Sequence, residues 1–153
     1  MAGLLIVQTG TTRLHGDYPA WFERALGRSM PVVSAHQGEK LRDGLDRFRP
    51  SGIIVTGSPL SVTEKAPWML ELGDDLLRSD IPVLGVCFGH QLLARAAGGE
   101  VVVNPRGREI GTVTVKLTPA GRRDPLFAWA SGAEIEVQAT HLDAVDPLPP
   151  GAT

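Results

Sequence analysis

The stretch from residue 81 to residue 97 constrains the fold of this chain more than any other part of its sequence. An apolar run over 81–86 predicts a buried strand, and the apolar spacing over 88–97 predicts a helix. Between them lies the turn Gly85-Val86-Cys87-Phe88-Gly89, which holds the only cysteine in the sequence. Strand, glycine-flanked turn and helix together are typical of a nucleophile elbow, here with cysteine in the position of the usual serine.

Cys87 is a candidate nucleophile because of where this turn places its sulfur. At the start of a helix, the dipole and the free N–H groups favour thiolate over thiol. A thiolate attacks a carbonyl carbon, and the resulting oxyanion needs two N–H donors. The N–H of Phe88, the residue after the nucleophile, is the expected first donor. A lone cysteine is otherwise most often a buried apolar residue, but the glycine spacing favours the nucleophile.

The second donor is expected from the loop Thr56-Gly57-Ser58-Pro59, which follows an apolar strand pattern. Its small residues allow a ligand to approach the backbone closely. We therefore place Gly57 and Ser58 with Phe88 in a candidate oxyanion hole. Taken alone, the loop is equally well explained as a plain turn after a strand.

Strand-like and helix-like patterns alternate along the first two thirds of the chain. This alternation predicts an α/β fold, with a mostly parallel, doubly wound sheet covered on both faces by helices. The predicted strands are Leu4–Gln8, Pro31–Ser34, Gly52–Val55 and 81–86, and the predicted helices are Ala20–Leu26, 41–48, 67–78 and 88–97.

The pattern changes after Gly98-Gly99. Glu100–Val103 and Thr112–Leu117 are rich in β-formers and predict an antiparallel excursion from the sheet, and Glu134–Thr140 alternates like a further strand. Asp124–Trp129 predicts one helical turn. We expect one domain over 1–153, and we expect it to be incomplete at its C-terminus because no closing helix follows the last strand.

The composition argues against some classes of binding partner. A net charge of −2 gives no reason to expect nucleic acid or an anionic membrane, and no apolar run is long enough to cross a bilayer. A single cysteine cannot form an internal disulfide, which favours a reducing, cytoplasmic location. The oligomeric state is left open.

Two side chains follow the cysteine on the predicted helix. Gln91 lies four residues after Cys87, on the same helix face, where its amide can bind a polar substrate. Without the elbow, a surface or capping glutamine explains it better. His90 is poorly placed for a general base. A Cys-x-x-His pair without a second pair of ligands makes zinc unexpected, so no metal site is predicted.

The other histidines carry weaker signals. His141 follows a predicted strand and has two interpretations. It could form a Cys–His–Asp arrangement with Cys87 and Asp143, or it could be a loop histidine that shapes a pocket. We favour the second interpretation. His15 and His36 lie near the ends of the first two strands, on the side where α/β sheets bind ligands, but nothing local marks either as catalytic.

Together these motifs resemble the class I glutamine amidotransferase domain, of the kind that forms the glutaminase half of GMP synthase. The resemblance covers nearly the whole chain. Besides the elbow with Gln91, residues 53–62 (IIVTGSPLSV) are similar to the family's oxyanion-loop strand. Residues 140–145 (THLDAV) are similar to its substrate-side Ser-His-Gly-Asp-x-Val element.

The resemblance implies a function. Cys87 would attack the side-chain amide of glutamine through a thioester and release ammonia, which a synthetase subunit or domain would accept, with no cofactor. Gln91, Thr140, His141 and Leu142 would hold the amino acid.

Two departures from the family pattern matter. Ser58 replaces the second glycine of the usual Gly-Gly-Pro loop, so the oxyanion hole is expected to be set differently. The family's later Phe-His-Pro-Glu element, which carries the catalytic histidine and glutamate, does not occur before Thr153. We therefore expect an N-terminal portion of the domain, or a site completed by a second polypeptide, and little turnover by the chain alone.

Three other functions stay open. One is a γ-glutamyl peptide hydrolase of the same fold, which differs only in its leaving group. Another is a non-catalytic amidotransferase-like interaction subunit, which the missing base supports and the intact elbow opposes. The third is a cysteine peptidase-like hydrolase, which Gln91 and the 140–145 element disfavour.

Overall fold

A computed structural model describes residues 3–14 and 16–153. Its N-terminal part alternates strands and helices, as predicted. In chain order the elements are β1 (Leu4–Gln8), α1 (Tyr18–Leu26), β2 (Val32–Ser34), α2 (Leu41–Phe48), β3 (Gly52–Val55), α3 (Pro67–Arg78), β4 (Val83–Gly85) and α4 (Phe88–Ala96). Single turns of 3-10 helix follow β2 at Ala35–Gln37 and precede α3 at Val62–Glu64.

Strands β1 to β4 form one parallel sheet in the order β2-β1-β3-β4. The connection after β1 leads to one side and the connection after β2 returns to the other, so β1 and β3 flank a topological switch point. Ligands of open α/β sheets bind in the crevice beyond the carboxyl ends of the strands at such a point. The doubly wound parallel sheet predicted from the sequence is confirmed.

Both faces of the central strands are covered. On one face, alternate residues of β1 and β3 pack against α2, α3 and α4 in a single apolar cluster. The strand residues in this cluster are Leu5, Val7, Ile53 and Val55. Ile6 and Ile54 point to the opposite face and are also buried.

The burial predicted for residues 81–86 is wrong. The strand forms, but only as β4, and Leu84 and Val86 are 39% and 36% exposed. The reason is topological: β4 is the last strand in the order of the sheet, and no described residue pairs with its outer edge. An apolar run indicates that a strand is suited to burial. It does not indicate that the elements needed to cover the strand are present.

The C-terminal part forms the predicted antiparallel excursion. It contains β5 (Val101–Val103), β6 (Glu109–Lys116), β7 (Glu134–His141) and β8 (Asp143–Val145). β6 pairs with β7, and β5 pairs with β8, a strand that the sequence pattern did not indicate. The predicted helical turn at Asp124–Trp129 is a shorter 3-10 turn at Pro125–Phe127. Among the described residues, no helix is both long and apolar enough to cross a membrane.

Two glycines allow α4 to lie directly against the ends of β3 and β4. A β-carbon on Gly89 would fall 2.5 Å from the carbonyl oxygen of Val55, and one on Gly85 would fall 2.6 Å from the carbonyl carbon of Gly89. Both obstacles are backbone atoms, which cannot move aside without shifting a strand or a helix. The turn between β4 and α4 is therefore short and tightly constrained.

We expect Gly89→Ala to lower the free energy of unfolding by about 1–3 kcal/mol or more, because the added methyl group overlaps the Val55 backbone. Urea denaturation followed by circular dichroism measures this loss. Gly132→Ala is the matched control, since its β-carbon would lie 4.0 Å from the nearest atom, and its effect should stay within about 0.5 kcal/mol. Equal stability of the two variants would contradict the close approach of α4 to β3.

Candidate active site

The backbone at Cys87 adopts a conformation that side-chain-bearing residues rarely take. Its φ is 52° and its ψ is −110°, and it directly precedes α4. Such a conformation costs on the order of 1–3 kcal/mol and persists only where the surroundings enforce it. Here the enforcing contacts are those that Gly85 and Gly89 permit. The strained turn leaves the Cys87 side chain exposed, as a free thiol.

The loop after β3 lies directly beside the elbow. A β-carbon on Gly57 would be 3.7 Å from the β-carbon of Cys87 and 3.5 Å from the ring of Tyr18. Gly57 therefore fills the space between these two side chains. The loop that the sequence assigned to the oxyanion hole is thus next to the candidate nucleophile, not an isolated turn.

Ser58 fits the loop without backbone strain. Its φ is not positive. Among the described residues other than glycine, only Arg49, Lys65 and Cys87 have a positive φ. Its hydroxyl donates to the Thr9 carbonyl at 2.9 Å and accepts the Leu60 N–H at 3.1 Å. The side chain is thereby turned towards β1, so its presence does not fill the space beside Cys87.

Phe88 contributes its backbone and its ring to different environments. Its N–H hydrogen-bonds to the Cys87 thiol. Its ring is 1% exposed and stacks on Trp68, with 6.2 Å between the ring centroids. The buried ring fixes the first turn of α4, and with it the position of the N–H.

Gln91 is neither a surface residue nor a capping residue. It is 5% exposed, and its Nε2 donates to the carbonyl oxygen of Asp143 at 3.0 Å. The carboxylate of Asp143 accepts a hydrogen bond from Ser61. These contacts join α4, the loop after β3 and β8, and they bring the 140–145 segment to the elbow.

The three predicted substrate-binding residues of the 140–145 segment lie around the junction of β7 and β8. Thr140 and Leu142 are exposed. The His141 Nε2 lies 2.8 Å from a carboxylate oxygen of Glu109, its cross-strand neighbour on β6. Glu109, which the sequence analysis did not single out, is thus the partner of His141; the pairing of β6 with β7 determines it, and no local motif signals it.

Of the remaining histidines, the structure describes His36 and His90, and the ring of each contacts a backbone carbonyl group. The ring of His90 lies 3.2 Å from the Cys87 carbonyl oxygen, and burial lowers the pKa of His90, with nearby His141 lowering it further. His36 lies 3.2 Å from the Gln8 carbonyl at the end of β1, and His15 lies outside the described residues. Within residues 3–14 and 16–153, no three metal-ligating side chains lie close enough together to hold an ion.

A family comparison matches this geometry. The model of the class-I glutamine amidotransferases matches residues 23–153. The chain belongs to this family. The glutamine-hydrolysing GMP synthase of Thermomicrobium roseum is 41% identical over 107 residues, which are 70% of this chain and 19% of that protein. The corresponding enzyme of Zymomonas mobilis is 31% identical over 131 residues, which are 84% of this chain and 23% of that protein.

Solved structures agree with the family assignment. A glutamine amidotransferase from Thermotoga maritima superimposes with a TM-score of 0.75 at 25% identity, and the match covers 100% of this chain and 66% of that one. The amidotransferase domain described here therefore spans less than a quarter of the matched GMP synthases and about two thirds of the solved structure.

Tyr18 lies beside the candidate site, and the sequence analysis did not single it out. It is the first residue of α1, its ring would lie 3.5 Å from a β-carbon on Gly57, and it packs edge-on against Trp21. Burial raises the pKa of its phenol, and the nearby Cys87 and Asp17 raise it further. The sequence signal was Asp17-Tyr18-Pro19, because an acidic residue before a proline is typical of a helix start.

The surroundings of Cys87 oppose the thiolate preference expected from the helix start. Burial raises the pKa of the Cys87 thiol above its ordinary value, and the negative charge of Asp143 adds to this, while the hydrogen bond from the Phe88 N–H opposes it. Although the side chain is exposed, the protein around it displaces part of its water, which disfavours the charged form. In this structure, burial and the Asp143 charge therefore oppose the low pKa that the helix start favours.

We expect Asp143→Asn to lower the pKa of Cys87, because it removes a negative charge that disfavours the thiolate. The amide oxygen of the introduced asparagine can still accept the hydrogen bond from Ser61. The measurement is the rate of alkylation by iodoacetamide against pH, since only the thiolate reacts. The wild-type midpoint should lie above that of free cysteine, and the variant should react faster below that midpoint. Asp46→Asn on α2 is the control, and an Asp143→Asn profile that matches it would refute the assignment.

Proposed function

We propose that this chain supplies the nucleophile of a glutaminase, with Cys87 attacking the side-chain amide of glutamine. The observation that carries the proposal is the elbow itself. Cys87 is exposed at a φ of 52°, with the Gly57 loop against its β-carbon. A backbone strained in this way, beside a loop with free N–H groups, favours a nucleophile over a structural cysteine.

The proposed reaction has two halves. The Cys87 sulfur bonds to the amide carbon, and the carbonyl oxygen becomes negative and is bound by the N–H groups of Phe88 and Ser58. The C–N bond then breaks, and the nitrogen leaves as ammonia with an added proton. Water hydrolyses the remaining thioester, which releases glutamate and restores the thiol.

We propose that the amino acid end of glutamine binds between α4 and the β7–β8 junction. The hydrogen bond from Gln91 to Asp143 holds these elements together. Thr140, His141 and Leu142 lie at this junction in exposed or half-buried positions, which supports the proposal. We propose that Thr140, His141 and Leu142 contact the substrate directly.

Neither His90 nor His141 is placed as the general base that Cys87 needs. The His90 ring is bonded to the Cys87 carbonyl and His141 is paired with Glu109, so neither ring is engaged with the sulfur. The raised pKa of Cys87 makes the need greater, because a neutral thiol must lose its proton before attack. We propose that a further polypeptide segment supplies this base beside the elbow.

The relatives suggest the fate of the ammonia. Because the matched proteins include glutamine-hydrolysing GMP synthases, we propose that a synthetase domain or subunit accepts the ammonia. A γ-glutamyl peptide differs only in its leaving group: breaking its C–N bond releases an amine or an amino acid, where glutamine releases ammonia.

A glutamine-like electrophile tests the nucleophile. We expect an α-amino acid that carries a diazoketone in place of the side-chain amide to alkylate Cys87 selectively. The rate should saturate with reagent concentration, and glutamine should slow it. Intact-mass spectrometry counts the adducts, and Cys87→Ser, which removes the only thiol, is the control. Reaction no faster than with free cysteine, without protection by glutamine, would favour a non-catalytic interaction subunit.

Turnover tests the missing base. We expect the purified chain to show little or no ammonia release from glutamine, because a nucleophile without its base loses as much as about a millionfold in rate. A coupled ammonia assay, run beside an assay for amine release from a γ-glutamyl peptide, measures both substrates. Sustained release that Cys87→Ser abolishes would show that the described residues already contain a base.

A further inference from the structure

Two buried threonines join the ends of β1 and β3 beneath the loop that carries Gly57 and Ser58. Thr9 and Thr56 are both 0% exposed. The Thr9 N–H donates to the Thr56 hydroxyl oxygen at 3.1 Å, and the Thr9 hydroxyl donates to the Thr56 carbonyl at 3.0 Å. These contacts lie at the switch point of the sheet, where the crevice above the strands begins. They fix the two strand ends relative to each other.

The same hydroxyl groups also contact the carbonyl oxygen of Gly57. The Thr56 hydroxyl oxygen lies 2.9 Å from it, and the Thr9 hydroxyl oxygen lies 3.1 Å from it. Each hydroxyl has a single proton to donate. All groups are satisfied when the Thr9 hydroxyl donates to the Thr56 carbonyl and the Thr56 hydroxyl donates to the Gly57 carbonyl. Thr56 then both accepts the Thr9 N–H and anchors Gly57.

Anchoring this carbonyl also sets the direction of the Ser58 N–H. The peptide bond between Gly57 and Ser58 is trans, so its N–H points opposite to its C=O. The C=O points into the buried threonine pair, and the N–H therefore points out of it. No described residue accepts this N–H, although the Ser58 hydroxyl binds the Thr9 carbonyl at 2.9 Å.

We propose that Thr9 and Thr56 are positioning residues that aim the Ser58 N–H at the oxygen that becomes negative when Cys87 adds to a carbonyl. This inference rests on the proposed function and extends it to two residues that do not touch the substrate. A donor that is already held in place needs no reorientation as charge develops, which is the condition under which such donors are most effective. The threonine pair supplies that condition through the Gly57–Ser58 peptide.

An aldehyde allows the contact between the Ser58 N–H and the negatively charged oxygen to be tested without the later steps of the reaction. In the aldehyde analogue of glutamine, a CHO group replaces the side-chain amide. The Cys87 sulfur bonds to the aldehyde carbon, the electron pair of the C=O π bond moves to oxygen, and the thiol proton passes to solvent. Nothing leaves, so the adduct keeps the oxygen that Ser58 is proposed to bind. Alkylation by iodoacetamide creates no negatively charged oxygen, so its rate measures thiol reactivity alone.

Substitutions of Thr56 give the expected contrast. Thr56→Val keeps the side-chain shape and removes the hydroxyl, so the dissociation constant of the aldehyde adduct should rise about tenfold or more. Thr56→Ser should restore binding, and Thr9→Val should weaken it in the same direction. The rate with iodoacetamide should change less than about twofold in each variant. Thr112→Val, on the exposed face of β6, is the control and should change neither value.

An NMR measurement tests the geometry without any chemistry. In the wild-type chain, the Ser58 amide proton should show a nuclear Overhauser effect to the β protons of Cys87. This signal should weaken in Thr56→Val and return in Thr56→Ser. Its absence from the folded wild-type chain overturns the proposal, and that result does not depend on whether the valine variants fold.

The two measurements separate the two proposals. Failure of the wild-type chain to form any aldehyde adduct counts against the glutaminase function, and the Overhauser signal then decides the positioning role alone. Adduct formation that is equally tight in wild type and in folded Thr56→Val leaves the nucleophile intact and refutes the role of the threonine pair.

Discussion

The contact of α4 with the ends of β3 and β4 is the constraint on which the site depends. Gly89 lies so close to Val55 that no side chain fits between them, and Gly85 lies equally close to the start of the helix. The chain must therefore turn from strand to helix within very few residues. Cys87 absorbs that turn in a backbone conformation with a positive φ, and its side chain is left exposed. A packing requirement in the core thus exposes the candidate nucleophile at the surface.

Local patterns predicted the central fold well because each element there carries its own signal. Gly52–Val55 and 67–78 form the predicted strand and helix within those bounds, since an apolar run and a 3.6-residue period are properties of the segment alone. β8 was missed because Asp143-Ala144-Val145 has no run of β-formers of its own and exists through pairing with β5. The exposure of Leu84 was missed for a related reason: burial depends on neighbours that a local pattern does not contain.

The site shows the same division between local and long-range information. Cys87 and the Gly57-Ser58 loop could be proposed as neighbouring site residues from the sequence, because tight turns leave glycines at fixed positions. The structure brings Gln91 and the 140–145 segment to them, as the resemblance to the amidotransferases implied. Tyr18, Thr9 and Thr56 were not found, since their importance lies in contacts between elements far apart in sequence. The raised pKa of Cys87 was likewise not predicted, because burial and the charge of Asp143 depend on contacts that the local sequence does not show.

An experimental structure of the chain with the glutamine aldehyde bound to Cys87 tests the central claim most directly. The account predicts a covalent bond from the Cys87 sulfur, with the former aldehyde oxygen about 2.7–3.1 Å from the backbone nitrogens of Phe88 and Ser58. It also predicts that the Gly57 carbonyl keeps its contact with Thr56. An adduct whose oxygen points to solvent, away from both nitrogens, would contradict the account of how this amidotransferase elbow works.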